Sequence, residues 1–287
     1  MSFFVRAQHL APQHGLSRLA GRLADSTVPW LKNALIRRFI AAYDVDMSEA
    51  AEPAEAYPSF NAFFTRPLKP GARPLADAND QVLCPADGAI SEIGAIANGR
   101  MVQAKGRDYT VAALLAGNAE AADRFEGGRF VTIYLSPKDY HRVHMPADGT
   151  LRSARYVPGD LFSVNAVTAG GVDGLFARNE RLACLFDTPL GTMASVMVGA
   201  MIVAGVETVW SGRVAPHGRS LIEEAIPQNL RLSAGDEMGR FYLGSTVILL
   251  FEPGRVEWLP DLKPGNTVRM GQALARRLSP AGFDFSP

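Results

Sequence analysis

From Gln81 onward, glycine, proline and aspartate cut the chain into short apolar or β-branched runs, and this punctuation restricts the fold more than any other feature. Phe130–Leu135, Arg181–Phe186, Met193–Val203 and Thr246–Phe251 are each bounded by such residues, with few helical periods among them. The pattern predicts a mostly antiparallel β core. A small repeat points the same way: Pro85-Ala86-Asp87-Gly88 recurs as Pro146-Ala147-Asp148-Gly149, each time entering a predicted strand. The repeat raises a duplicated core.

Before Gln81 the periodicity is helical. Leu16, Leu19, Ala20 and Leu23 keep i, i+3, i+4, i+7 spacing. Leu31, Leu35 and Phe39, flanked by Ile36, Ile40 and Tyr43, form a wide apolar face opposite Lys32, Arg37 and Arg38, with Pro29 at the first turn. A Pro-punctuated connector, Pro58 to Pro74, follows. The expected fold is therefore α+β: a β core behind N-terminal amphipathic helices. The segment Lys263 to Ala275 resembles the turns of lipoyl-type barrel-sandwich domains, so that core is expected to be barrel-sandwich-like. Residues 1–56 are expected to form a helical membrane-association region and residues 57–287 a β-rich catalytic domain. Removing residues 1–43 is expected to spare that domain.

With 29 basic and 29 acidic residues the chain offers no general case for nucleic-acid binding. The charge is unevenly placed, however. Arg6, Arg18, Arg22, Lys32, Arg37 and Arg38 face only Asp25 before residue 44, and the next stretch, Asp44 to Glu55, is acidic. A basic, apolar N-terminus suggests an anionic surface as partner. The longest apolar run, Ala194 to Val206, is glycine-interrupted and shorter than the ~18–20 residues of a spanning helix. No signal peptide is expected, nor a membrane span. Cys84 and Cys184 lie in separate apolar runs and are expected to stay reduced, which fits the cytoplasm.

Three places could carry chemistry. Leu243-Gly244-Ser245-Thr246 sets a serine at a strand entrance behind a glycine. There the Ser245 hydroxyl could attack the Gly244 carbonyl without a Cβ in the way. Taken alone it is an ordinary Gly-Ser turn. In Tyr140-His141-Arg142-Val143-His144, two of the five histidines lie three apart. A strand would send them to opposite faces and a turn could converge them, and the setting makes a turn plausible. With no further His or Cys nearby a metal site is not expected. Acid–base work suits the pair better, though two satisfied histidines in a loop is an equal reading. Asp87 could orient a histidine or serve as an Asp-Gly turn.

Taken together these segments resemble the bacterial-type phosphatidylserine decarboxylases, pyruvoyl-dependent enzymes made as one precursor. The match also runs through Phe63-Phe64-Thr65-Arg66-Pro67-Leu68, Tyr156 to Asn165, Phe176 to Arg181, Glu207 to Trp210 and Met238 to Phe241, in the family's order. It implies a self-cleavage triad of Asp87, His144 and Ser245, in which His144 takes the Ser245 proton and Asp87 orients the imidazole. Cleavage between Gly244 and Ser245 would give a β subunit (1–244) and an α subunit (245–287) that stay associated as a heterodimer. A pyruvoyl group derived from Ser245 would be the cofactor. It would form a Schiff base with the amine of phosphatidylserine and accept electrons as carbon dioxide leaves, yielding phosphatidylethanolamine. His141 is the candidate proton donor to the α-carbon. Phe162, Ser163 and Asn165 are candidate substrate contacts. The implied setting is a peripheral protein on the cytoplasmic face of the cell membrane, and a higher homo-oligomer stays open.

Two rivals remain at this point. A pyruvoyl decarboxylase of a soluble amino acid would not need a basic amphipathic N-terminus. A non-enzymatic barrel-sandwich carrier would need an exposed lysine in a tight hairpin, which the sequence does not offer.

Overall fold

The computed structural model describes residue 8 and residues 13–104, 106–200, 205–214, 220–242 and 245–278, without the side chains of 13, 14, 16 and 18. The expected α+β, mostly antiparallel architecture is what it shows. Nine strands form one sheet in the order Ile222–Glu223, Gly149–Val157, Arg181–Thr188, Gly191–Val198, Ser245–Phe251, Arg129–Leu135, Gly88–Ala95 and Thr267–Val268, with Arg231–Leu232 also paired to Gly149–Val157. Among the described residues this sheet does not close into a barrel. A four-stranded sheet (Gly212–Arg213, Gly205–Thr208, Glu237–Tyr242, Arg142–His144) and a three-stranded one (Gln81–Leu83, Ala273–Arg277, Val256–Trp258) accompany it.

The Ser245–Phe251 strand explains why its sequence reads as a continuous apolar run. It lies between Gly191–Val198 and Arg129–Leu135, and all seven residues are buried. Val247, Leu249 and Phe251 join one apolar cluster with Val143, Phe241 and Leu274; Ile248 and Leu250 join another with Tyr109, Phe125 and Phe176. Burying five such side chains contributes roughly 10 kcal/mol. The strand is therefore held by its neighbours rather than by its covalent link to residue 244. Cys84 and Cys184 are buried and unpaired in the same core.

The two repeated segments occupy equivalent places, and hydrogen bonds display it residue by residue. Leu83 N donates to Pro146 O at 2.9 Å and His144 N to Pro85 O at 2.8 Å, a reciprocal pair. Met270 N donates to Asp87 at 2.9 Å, and Ala234 N to Asp148 at 2.8 Å. Gly271 N reaches Cys84 O, and Gly235 N reaches Met145 O, each at 2.9 Å. Gly271 and Gly235 carry φ of 85° and 86°, the left-handed region in which glycine is favoured. The segment before Gly235 is thus a second copy of the Lys263–Ala275 turn, with too little sequence in common to be recognised. Two consequences follow for function. Asp87 and Asp148 share one structural task, holding a turn, and His144 occupies the position that Leu83 fills in the other copy.

The N-terminal helices differ from expectation in one respect. The apolar face of Pro29–Tyr43 is turned inward: Ile36 is buried, and Leu35, Phe39 and Ile40 pack with Tyr57, Phe60, Phe63 and Phe64. Phe39 stands edge-on to Phe60, Phe63 and Phe64 at centroid distances of 5.1, 6.1 and 5.7 Å. Lys32 is buried too, its Nζ donating to Glu55 O. The short Phe60–Phe64 helix, capped by Ser59, thus joins the helical layer to the β core. Because Phe64 also stacks on His141, removing residues 1–43 would uncover the support of a candidate site residue. Leu19, Leu23, Val28 and Trp30 remain exposed.

Candidate active site

Ser245 opens its strand opposite Leu135, fully buried, and its Oγ has no hydrogen-bond partner. Gly244, the other half of the expected scissile pair, lies outside the described residues. The partner strand Arg129–Leu135 runs on into a tight loop: Asp139 accepts from both the backbone N and the Oγ of Ser136 at 2.7 Å. That loop returns to the Arg142–His144 strand, where His141 O accepts from Phe241 N at 3.0 Å. The loop carrying His141 thus joins Arg129–Leu135 to Arg142–His144, the strands paired with Ser245–Phe251 and Glu237–Tyr242 on either side of residues 243 and 244.

The two histidines do not converge. Residues 142–144 are extended, which corrects the turn expectation, and each ring finds its own surroundings. His141 Nε2 lies 3.0 Å from Ser136 O. A carbonyl only accepts, so Nε2 carries the proton and Nδ1 presents its lone pair, buried and without a partner. The ring stacks on Phe64 at 4.0 Å. Burial, then the Arg66 cation, pulls the His141 pKa down to about 3, against the opposing pull of the Ser136 and Pro137 carbonyls. His144 Nδ1 donates to Gly235 O at 2.8 Å, so its Nε2 accepts from the Tyr140 hydroxyl at 3.0 Å. Burial lowers the His144 pKa as well, and the Gly235 carbonyl works against it.

Asp87 lies near His144, since His144 N bonds Pro85 O and the Asp87 charge acts to raise the histidine pKa. Their side chains are not hydrogen-bonded to each other. Arg73 grips Asp87 through Nε, at 2.9 and 3.1 Å, and through Nη2, while Met270 N takes one of the same oxygens. In this continuous chain the orienting group of His144 is therefore the Gly235 carbonyl. Phe162, Ser163 and Asn165 lie on the far side of Ser245. Asn179 binds both backbone groups of Phe162 and also Gly199 O at 2.9 Å, next to the Thr246–Val198 register pair. Ser163 N is engaged by Gln8 Oε1, and Asn165 caps the short Ala166–Ala169 helix through Thr168 N.

Arg73, Gly235 and Asn179 were not legible as site residues. Each is a long-range partner, and no local spacing relates Arg73 to Asp87 or Gly235 to His144. Tyr140 could have been found, since it sits inside the histidine segment.

A pH prediction arises from these rings. Both histidines are held neutral in the fold, whereas an unfolded imidazole takes a proton near 6.5. As pH falls through 6.5 toward 3 the unfolded chain gains protons the folded chain refuses, so stability drops, by at most about 1.4 kcal/mol per pH unit and histidine. His141→Gln is expected to flatten the loss between pH 6 and 4, read from chemical denaturation midpoints. An unchanged slope would contradict a neutral buried His141.

A buried serine at a strand entrance, two histidines held neutral and a gripped aspartate are residue types suited to serine and proton-transfer chemistry. Comparison with known proteins defines it further. The family profile described as phosphatidylserine decarboxylase matches residues 60–276, and a second, described as PSD, matches residues 3–44. The chain belongs to the phosphatidylserine decarboxylase family, and it is a decarboxylase. The protein named phosphatidylserine decarboxylase proenzyme from Bordetella pertussis is 58% identical over 283 residues, covering 97% of this chain and 95% of that one. Proteins of the same name from Ectopseudomonas mendocina and Alcanivorax borkumensis are 57% and 54% identical, covering 94% and 93% of this chain and 96% and 93% of theirs.

Proposed function

We propose that the chain cuts itself between Gly244 and Ser245, converts Ser245 to a pyruvoyl group, and uses it to decarboxylate phosphatidylserine. The observation that carries this reading is the Ser245 Oγ, buried with no partner at the first position of a fully buried strand. An orphaned buried hydroxyl calls for an explanation, and a nucleophile awaiting its base is one. The name proenzyme carried by the relatives supports maturation by cleavage.

In the cut, Ser245 Oγ bonds to the Gly244 carbonyl carbon and its proton passes to His144 Nε2. That nitrogen bears a lone pair, so the step requires the Tyr140 hydroxyl to yield its place. Gly235 O holds the ring and its tautomer throughout, and Asp87 supplies the charge that supports the imidazolium. An ester replaces the amide as the proton passes to the freed Ser245 nitrogen; loss of the Ser245 α-proton and of the upstream carboxylate leaves dehydroalanine, which takes up water and releases ammonia to give the pyruvoyl N-terminus. The buried, unbonded position of the Ser245 side chain fits a ketone sheltered from water. Once formed, a pyruvoyl group supplies a carbonyl for the substrate amine and a sink for the electrons released with carbon dioxide. His141 Nδ1 is the group we assign to hand a proton to the α-carbon.

The small fragment would keep its place, because the buried Ser245–Phe251 strand and the Ala273–Arg277 strand both pair with strands of the large one. Purified protein is therefore expected to run as two fragments on a denaturing gel and as one species without denaturant. Its mass spectrum should show a small fragment beginning at 245 with a blocked N-terminus. A single intact chain with full activity would sink the proposal.

The substrate's tails stay in a bilayer, and among the described residues no helix is long and apolar enough to cross one. Leu19, Leu23, Val28 and Trp30, with exposed Arg22, Arg37 and Arg38 nearby in sequence, form the surface we assign to an anionic cytoplasmic leaflet. Leu23→Ser with Trp30→Ser is expected to lower sedimentation with phosphatidylserine liposomes about tenfold or more, given the apolar area lost. Self-cleavage should be untouched. Unchanged sedimentation would move the contact elsewhere.

A further inference from the structure

Arg66 is buried, 3% exposed, and only partly satisfied. Its Nη2 donates to Lys138 O at 3.0 Å and lies 3.5 Å from Asp139 O. Its Nε and Nη1 are sealed from solvent with no acceptor. The Phe63 ring lies 5.4 Å from the guanidinium carbon. Two other arginines show what satisfaction looks like in this fold. Arg181, equally buried, spends its fork on the carbonyls of Leu114, Ala177, Asn179 and Ala113 at 2.6–2.9 Å. Arg73 spends its own on Asp87 and Glu49. Among the described residues no carboxylate lies in ion-pair reach of Arg66. A buried cation with two free donors is costly and rare, and an anionic ligand removes the anomaly.

Its location says which ligand. Phe64, two residues before, stacks on His141, and the carbonyls Arg66 holds belong to the loop that ends at His141. His141 Nδ1 and Ser245 Oγ are likewise buried without partners. Orphan donors, an orphan imidazole acceptor and an orphan hydroxyl thus gather around one short loop and the strand opposite it. A zwitterionic headgroup complements that set: anionic oxygens for Arg66, an ammonium proton for His141, and the amine directed toward position 245.

The headgroup carries two anions, and chemistry separates them. A cation on the carboxylate would stabilise the charge that decarboxylation must discharge, favouring the ground state. A cation on the phosphodiester is indifferent to that step and anchors the substrate, and the planar guanidinium fork suits phosphate oxygens. We propose that Arg66 binds the phosphodiester of the substrate headgroup through its unpartnered guanidinium donors. This rests on the decarboxylase reading above.

The test uses the uncut Ser245→Ala chain, titrated calorimetrically with glycerophosphoethanolamine and with glycerophosphoserine, which share the phosphodiester while only the second has the carboxylate. Both are expected to bind, and Arg66→Met in that background should weaken both about tenfold or more, as for loss of a charge-assisted hydrogen bond to phosphate. Arg66→Lys keeps the charge without the fork and should weaken both by a smaller factor; it decides the matter if the methionine variant fails to fold. In the self-cleaving chain, Arg66→Lys should still cut at 245, raise KM for phosphatidylserine and leave kcat within about threefold. The proposal is overturned if neither ligand binds the Ser245→Ala chain, if the Arg66→Lys variant binds both unchanged, or if only glycerophosphoserine weakens. None of these outcomes touches the cleavage reading, which the mass spectrum of the unaltered chain decides separately.

Discussion

Ser245→Ala is expected to stay at full length and to lose decarboxylase activity by at least about a thousandfold, since both nucleophile and cofactor precursor are gone. The fold gives this substitution unusual clarity. The lost hydroxyl makes no hydrogen bond and sits in a fully buried strand, so its removal costs no partner. Deleting an unsatisfied buried polar group is neutral or stabilising. The melting temperature of Ser245→Ala should therefore equal or exceed that of an uncut reference such as His144→Ala. An inactive variant that is as stable as its parent leaves chemistry as the only explanation. The measurements are an intact-mass spectrum, a thermal melt and carbon dioxide release from phosphatidylserine in mixed micelles. A Ser245→Ala chain that is still cut at that position, or still decarboxylates, removes Ser245 from the mechanism.

The second large effect separates the histidines. His144→Ala should leave the chain uncut, because nothing then accepts the Ser245 proton. His141→Ala should be cut normally and lose about 10²–10⁴ of its decarboxylation, the usual worth of a positioned acid–base group. The contacts make these predictions specific. His144 keeps Nδ1 on Gly235 O and a basic Nε2 facing Tyr140, whereas His141 offers its bare nitrogen beside the Arg66 side chain. Asp87 needs two variants, because it also receives Met270 N. Asp87→Ala opens that turn and removes the charge; Asp87→Asn keeps an acceptor and removes only the charge. If charge is what His144 needs, both stall cleavage. If Asp87→Asn cuts at the normal rate, Asp87 is a turn residue like Asp148. Exchanged histidine phenotypes would reverse the assignment, and two uncut variants would mean a shared role.

Much of this was legible in the chain because it is local. Runs such as Thr246–Phe251 announce strands through β-branched and apolar composition, and the amphipathic spacing before residue 44 announces helices. The serine, the histidine pair and Asp87 sit in short segments whose chemistry can be named one by one, and their order along the chain carries the family resemblance. Pairing over distance is a different matter. Nothing in the spacing of Pro85–Gly88 and Pro146–Gly149 tells that the two bond reciprocally, or that the segment before Gly235 repeats the turn before Gly271 with different side chains. Backbone hydrogen bonds and positive φ can be preserved while the residues between them change. Burial is equally nonlocal. Leu31 to Tyr43 looks the same whether its apolar face meets lipid or Phe60, Phe63 and Phe64, and only packing turned it inward. Hydrogen-bond partners came last: tertiary structure assigned Asp87 to Arg73 and His144 to Gly235 and Tyr140. It also left Arg66, His141 and Ser245 with unfilled bonds, since a side chain's chemistry is written in its own residue but its partners are set by whatever the fold brings beside it.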